Sequence, residues 1–521
     1  MVAGYVIRKN EYYDSVFLMR VAKRLSERKG ILQVAALMGT EKNKILLEEI
    51  EVRDPEISKA TPSDLIVAVK ADSQEALTSV IENLDQWLNP VQDLSVTRVI
   101  RTLEEAVALQ SRSNLAVISV PGSYAAREAR KALEHGLNVF LFSDNVPLES
   151  EISLKEYARE RGLIVMGPDC GTAIIGGVGI GFANAVRRGP IGVIGASGTG
   201  IQEFTSLVHR AGSGISHAIG IGSRDLSDAV GGISFLSALE ALESDTQTEI
   251  ITILSKPPGQ LTLSNLIPRI LLCQKPIIAC FLGLKQDSPH ANIRFRNART
   301  IEDASALALQ IVTGNLPPGF NANSPGIQTL IQRERAGKNM EQRYIRGIFA
   351  GGTFCFQAQQ ILQDAGIVVH SNAPLNGNLE LVDPMRSEEH TLVDMGTDDF
   401  TAGRPHPMID PRLRHERILA EAQDPHVAIL LIDFVLGFNA SPDPAGELVS
   451  VIEEAKHEAR KRNGSLSVVA SICGTEGDPQ NLQQHIKVLE EAGVIVFPSS
   501  TQSAQFCALL AASLLEVIGA K

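Results

Sequence analysis

The sequence predicts an α/β protein made of several doubly wound parallel-sheet domains. Three observations lead there. Short, continuously apolar, β-branched runs alternate with helical stretches, the signature of parallel strands covered on both faces. Several helical stretches end in glycine before the next strand, at Gly136, Gly162, Gly212, Gly366 and Gly493, where a left-handed cap is expected. The chain has 521 residues, too many for a single core.

The elements follow in order. Near the start, Asp14 and Ser15 are placed to cap a helix over "VFLMRVAKRLSERKG", and "SDLIVAVK" reads as a strand; the rest of the first hundred residues is the least legible part. Then "NLAVISV", "SYAAREARKALEHG" and "LNVFLFS" give strand, helix, strand. "IGVIGAS" is a strand whose helix ends in "HRAG", and "TEIITILSK", "LTLSNLIPRILLCQ" and "KPIIACFLG" repeat the unit. Residues Gly314–Gln342, rich in Pro, Gly and Asn and then charged, read as a linker. A second α/β block opens at "YIRGIFAGGTF". Boundaries near 187 and 340 give domains 1–187, 188–320 and 340–521.

Composition excludes several classes. The net charge is −12, with no basic block or aromatic-basic stripe, so no nucleic-acid partner is expected. No apolar run approaches the roughly 18 residues that span a bilayer, and the start lacks a secretory pattern. The six cysteines are scattered without a C-x-x-C pair. That predicts reduced thiols in a cytoplasmic protein and no metal site.

The chemistry is expected at turns of small residues. In "GVIGASGTGIQEF" a strand passes into a helix through Ser197, Gly198, Thr199 and Gly200. Gly351, Gly352 and Thr353 repeat the plan, and Gly437–Ser441 supplies a loop with Asn439 and Ser441. Amides at a helix N-terminus face the positive end of the macrodipole and favour phosphate or carboxylate. Tight packing alone explains one such turn; several, with hydroxyls, point to an anion at one or two of them. None is a P-loop or a full dinucleotide fingerprint. A second candidate is the proline-stiffened loop Asp398–Asp410, "DDFTAGRPHPMID". Arg404 can fork onto an anion, His406 can move a proton, and Asp398, Asp399 and Asp410 crowd beside them. A salt-bridged structural lid is the alternative.

At this point a resemblance becomes specific. "GPDCGTAI" at Gly167–Ile174, followed by "GASGTG" and by "HAIGIGSRDLSDAVGGISFLSALEALESDTQTEIITIL", resembles the succinyl-CoA synthetase α-subunit. "GIFAGGTF", "LLIDFVLGFNASPDP" and "GTEGDPQNLQQHIKVLEEAGV" resemble the carboxyl-terminal ligase domain of the β-subunit. The composite, with "FLFSDNV" and "GRPHPMIDP", is similar to the FdrA family of acyl-CoA synthetase-like proteins. The resemblance implies a Rossmann-like, CoA-binding-type domain over 1–187 and two flavodoxin-like ligase domains after it. It implies acyl or carbamoyl transfer on an anionic small molecule through a phosphate or acyl-phosphate site. An alternative is an FdrA-type subunit of an oxamate carbamoyltransferase, and another is a non-catalytic scaffold with an anion pocket. Separate partner subunits and a homo- or hetero-oligomer are expected. No part of the chain matches an ATP-grasp domain, and the Gly-rich CoA loop is not visible in residues 1–60, so the cofactor stays open between CoA and phosphate. On the resemblance to the succinyl-CoA synthetases, their active histidine falls at His290, whose flanking glycines are missing; a solvent-facing loop histidine is the alternative.

Overall fold

The computed structural model describes residues 2–40, 43–44, 47, 52, 54–88, 100–284, 294–402 and 404–519. Its β-branched runs form four sheets. In the first, Leu65–Ala71 lies between Val2–Arg8 and Ile31–Met38 and is antiparallel to both. Helices Ser15–Ser26 and Gln74–Glu82 cover one face, and Asp14 caps the first by accepting from the Phe17 amide at 2.9 Å. The second sheet is parallel: Leu115–Ile118, Asn138–Leu141 and Val165–Met166. Residues 1–187, expected as one Rossmann-like unit, therefore carry two whole sheets and a hairpin of a third. The first three strands pair antiparallel and bury their own core, apart from the parallel sheet that follows.

The third sheet runs Phe295–Asn297, Ile277–Phe281, Ile250–Ser255, Arg188–Gly195, Ile215–Gly220, Thr172–Ile175, Val178–Gly181. Its first five strands are parallel. The last two form an antiparallel hairpin that joins it from residues before 187. The fourth sheet is wholly parallel: Leu379–Glu380, His370–Ser371, Thr391–Asp394, Tyr344–Phe349, Val427–Val435, Ser467–Cys473, Ile495–Phe497.

This strand order positions the site. Arg188–Gly195 and Tyr344–Phe349 each have later strands on both sides, so the chain order reverses beside them. Ligands of doubly wound sheets bind in the crevice at that point, outside the carboxyl ends of the strands. "GASGTG" and "GGTF" follow these two strands.

The expected linker contains a helix, Pro325–Ala336, capped by the Ser324 hydroxyl. Only Ile331 of it is buried, so its apolar stripe is too thin to read as a helix in sequence. All six cysteines are buried and free. Among the described residues no helix is long and apolar enough to cross a membrane.

The third and fourth sheets belong to domains that dock through polar links. Asp478 accepts from Asn184 Nδ2 and the Ala185 amide, each at 2.7 Å, and from the Thr475 amide at 2.8 Å. Gly437, at φ +116°, lies so close that an added Cβ would sit 2.5 Å from the Ala183 carbonyl. Glu203, on the helix Gly198–Arg210, accepts the Ser500 amide and hydroxyl at 2.6 Å each, capping the helix Ser500–Gly519 of the other domain.

Burial pushes the Glu203 carboxyl up from 4.5 to about 7; the Ser500 bonds oppose this, Glu302 adds to it and Arg210 opposes it. A folded-state value above the ordinary one adds stability fully present below pH 4.5 and lost as pH rises through about 7. Glu203→Gln is expected to remove that component, on the order of 3 kcal/mol at most. Thermal melts of both proteins across this pH range check it: parallel curves would show that Glu203 does not titrate there.

Candidate functional site: two helix ends meeting across a domain boundary

The helix Gly198–Arg210 follows its strand at once. Gly195 makes this geometry possible, because a Cβ there would lie 2.5 Å from Ile201 Cγ1. Ser197 is the N-cap and accepts from the Gly200 amide at 3.1 Å. Its hydroxyl also touches the Thr353 hydroxyl of the helix Gly352–Asp364. At Gly200 a Cβ would stand 2.9 Å from Ser197 Oγ, so glycine leaves room for the capping hydroxyl. Two helix starts, 156 residues apart in sequence, thus meet at one point. Leu254, Ser255, Cys280 and Leu282 pack behind them and leave only a cleft too narrow to admit a water molecule. Both positive helix ends face the same neighbourhood, which favours negative charge there.

The second helix start already has acid beside it. The Ala350 and Gly351 amides donate to the Asp433 carboxylate at 2.7 and 2.8 Å. A Cβ on Gly352 would collide with Asp394 Oδ2. Burial pushes both carboxyls up; Arg414 opposes this at Asp433, and Lys256 opposes it at Asp394. Neither aspartate was legible as a site residue. Asp394 ends its strand and Asp433 lies two residues before the end of Val427–Val435, and the neighbours of both depend on the sheet order.

Lys256 is the other residue that sequence reasoning missed. It directly follows the strand Ile250–Ser255, whose Leu254 pairs with Gly195 and whose Ser255 pairs with Phe281. It faces the second helix, where its charge acts on Asp394. Its Nζ is 5.4 Å from the Phe356 ring centroid, one turn beyond Thr353. Lys256 is exposed, and among the described residues no carboxylate reaches it at ion-pair distance. The sequence signal was the "SK" closing the strand "TEIITILSK".

The histidine loop is placed differently from its sequence reading. His406 Nδ1 accepts from the Met408 amide at 3.2 Å, so the neutral ring carries its proton on Nε2. Burial, then Arg414, lowers the His406 pKa to about 4. At neutral pH it is a hydrogen-bond donor through Nε2, not a cation. Nε2 points toward Gly396, where a Cβ would come within 2.7 Å. Arg404 is exposed. Asp410 is gripped by Arg412 Nε at 2.8 Å and Nη2 at 2.5 Å. Burial raises its pKa, but Arg412 outweighs that and the net shift is downward. Asp410 is thus an ion-pair partner.

Among the expected anion-binding residues, the fold brings together Ser197, Gly198, Thr199, Gly200 and the Gly351–Thr353 turn. Asn439 and Ser441 are engaged elsewhere. Asn439 donates to the Gly181 carbonyl at 2.7 Å and accepts from Arg20 at 2.8 Å; Ser441 donates to Glu447 at 2.8 Å. His290 lies outside the described residues.

Three family models match: "CoA-ligase" over residues 348–510, "CoA binding domain" over 186–262, and "AllF, heavy metal-associated domain" over 1–98. The chain is 42% identical over 504 residues to the uncharacterized protein YahF of Escherichia coli K12, spanning 96% of this chain and 97% of that one. The chain belongs to the FdrA family. Its domains are those of an acyl-CoA ligase-related enzyme family. This FdrA-family chain is also 30% identical over 158 residues to the α-subunit of ADP-forming succinate–CoA ligase from Methanothermobacter thermautotrophicus. It spans about half of that subunit, 53%. A solved structure, the apo dinucleotide-forming acetyl-coenzyme A synthetase 1 of Ca. Korarchaeum cryptofilum, is 18% identical. It aligns with a TM-score of 0.34 over 83% of this chain and 90% of that one.

Two groups implied by these models can be tested against the residues present. Residues 1–98 of the FdrA-family chain contain no cysteine and no histidine. Among the described residues no cluster of His, Cys, Asp and Glu could hold a metal ion. Heavy-metal sites depend on thiolate and imidazole donors, so the N-terminal domain does not fit such a metal. In the CoA-binding-type domain expected over 1–187, the CoA diphosphate would need free amides or cations at the edge of the parallel three-stranded sheet. There the helix Gly122–Glu134 starts against the Asp144 and Asn145 carbonyls, and the Tyr12 hydroxyl donates to the Ser119 carbonyl at 3.2 Å. These residues form no CoA cradle, and the CoA-binding model instead matches residues 186–262, which include the start of the helix Gly198–Arg210.

Proposed function

We propose that this chain handles an acyl phosphate, with carbamoyl phosphate as the candidate, where the helices Gly198–Arg210 and Gly352–Asp364 meet. The observation that carries the reading is the contact between the Ser197 and Thr353 hydroxyls across the domain boundary. In this reading, first-turn amides and the two hydroxyls donate to phosphoryl oxygens. Lys256 offsets part of the dianion's charge, and Nε2–H of His406 offers a neutral donor. Preorganised donors of this kind stabilise charge that develops during transfer.

The reaction class that suits the site is phosphorolysis of a ureido acid such as oxalurate. A phosphate oxygen attacks the carbamoyl carbon, the carbon–nitrogen bond breaks, and the phosphate proton passes to the leaving nitrogen. The products are carbamoyl phosphate and oxamate. The reading assigns no nucleotide step to this chain and looks to separate subunits for the remaining chemistry. A second reading, a scaffold or regulatory subunit, draws on Asp433, which already accepts the Ala350 and Gly351 amides at one helix end, with Asp394 beside it.

Calorimetric titration with phosphate, carbamoyl phosphate and CoA separately tests the choice. Carbamoyl phosphate binding without CoA binding supports carbamoyl transfer. CoA binding would redirect the reading toward acyl-CoA formation, and silence from all three would favour the scaffold. Lys256→Gln is expected to weaken carbamoyl phosphate binding about tenfold with little change in melting temperature. Unaltered affinity would remove Lys256 from the site and leave the two helix ends.

A further inference from the structure

Residues 1–98 match a heavy metal-associated domain and lack its donors. Their contacts show a different use. Arg20, Lys23 and Ser26 follow one another at three-residue spacing on the helix Ser15–Ser26, so they share a face. Arg20 Nη2 donates to Asn439 Oδ1 at 2.8 Å. Lys23 Nζ pairs with Glu447 at 2.5 Å, the side chains only 13% and 23% exposed. Ser26 Oγ accepts from Arg412 Nη1 at 3.1 Å, and Arg412 holds Asp410.

These targets sit in one neighbourhood of the C-terminal domain. Asn439 also grips the Gly181 carbonyl of the hairpin Thr172–Gly181. Glu447, at the start of the helix Gly446–Lys461, also accepts the Ser441 hydroxyl. On the other side, Tyr12 reaches the Ser119 carbonyl beyond the strand Leu115–Ile118. The domain therefore bridges the three-stranded sheet and the C-terminal domain.

We propose that the N-terminal domain is a metal-free brace whose helix Ser15–Ser26 fixes the Asn439–Glu447 segment against the hairpin Thr172–Gly181. The proposal does not depend on what the anion site binds. A charge swap in the full chain tests it. Lys23→Glu and Glu447→Lys alone are each expected to raise amide hydrogen exchange over residues 437–447 about tenfold, and the double variant to restore most of that protection. Arg20→Ala, a milder change, is expected to raise exchange around Asn439 with the fold intact by circular dichroism. Unchanged exchange in folded single variants, or no recovery in the double variant, overturns the brace. Titration of the full chain with Zn(II) and with Cu(I) is expected to show no stoichiometric uptake. One equivalent bound and lost on deleting residues 1–98 overturns the metal-free part.

Discussion

Ser197→Asp is expected to abolish phosphate and carbamoyl phosphate binding while the chain stays folded. Aspartate caps helices as well as serine does, so the start of Gly198–Arg210 keeps its cap. Thr353 can still donate a hydrogen bond across the boundary. The change is one of charge. A carboxylate placed where two helix ends meet competes for the same amides and repels an incoming anion. At 4 Å and an effective dielectric near 20, two unit charges interact by about 4 kcal/mol, or roughly three orders of magnitude in affinity. Calorimetry on the variant reads this directly, with a thermal melt confirming the fold. Full affinity in a folded Ser197→Asp protein would remove the anion site.

Asp478→Ala is expected to give the largest loss of stability. Asp478 is 5% exposed and its carboxylate accepts three hydrogen bonds, two of them from Asn184 and Ala185 in the preceding domain. Truncation leaves three donors without this acceptor, at about 1–3 kcal/mol each where no water replaces it. A loss on the order of 5 kcal/mol lowers the melting temperature by several degrees and opens residues 182–188 to proteolysis. Asp478→Asn keeps the shape and one acceptor oxygen, so its loss is expected to be smaller. A melting temperature within a degree of the parent protein would show that the domains dock by apolar contact instead.

Much of the architecture was legible because strand and helix periodicities differ and glycine marks the caps. "IGVIG" and "YIRGIF" announced the central strands, and the turns after them announced the helix starts. What the sequence does not encode locally is which strand lies beside which. That ordering brings Lys256 over Phe356 of the second helix and sets Asp433 and Asp394 at that helix's start. Asn439 shows the converse failure. A loop of Gly, Asn and Ser reads as an anion loop by composition, yet Asn439 takes a left-handed conformation at φ +65° and joins three parts of the chain. The first hundred residues misled because their strands are ordinary apolar runs, and nothing in such a run declares an antiparallel partner.

The stretch around Pro325–Ala336 has a consequence beyond connection. Ser197 lies before it and Thr353 after it, so the two halves of the site are covalently joined. For separate molecules such a meeting would weaken with every dilution. Here the tether gives each half a fixed effective concentration of the other, set by the length of the chain between them rather than by the amount of protein present. Domain encounter becomes a first-order event, and a dilute cell extract holds the same fraction of assembled sites as a concentrated one.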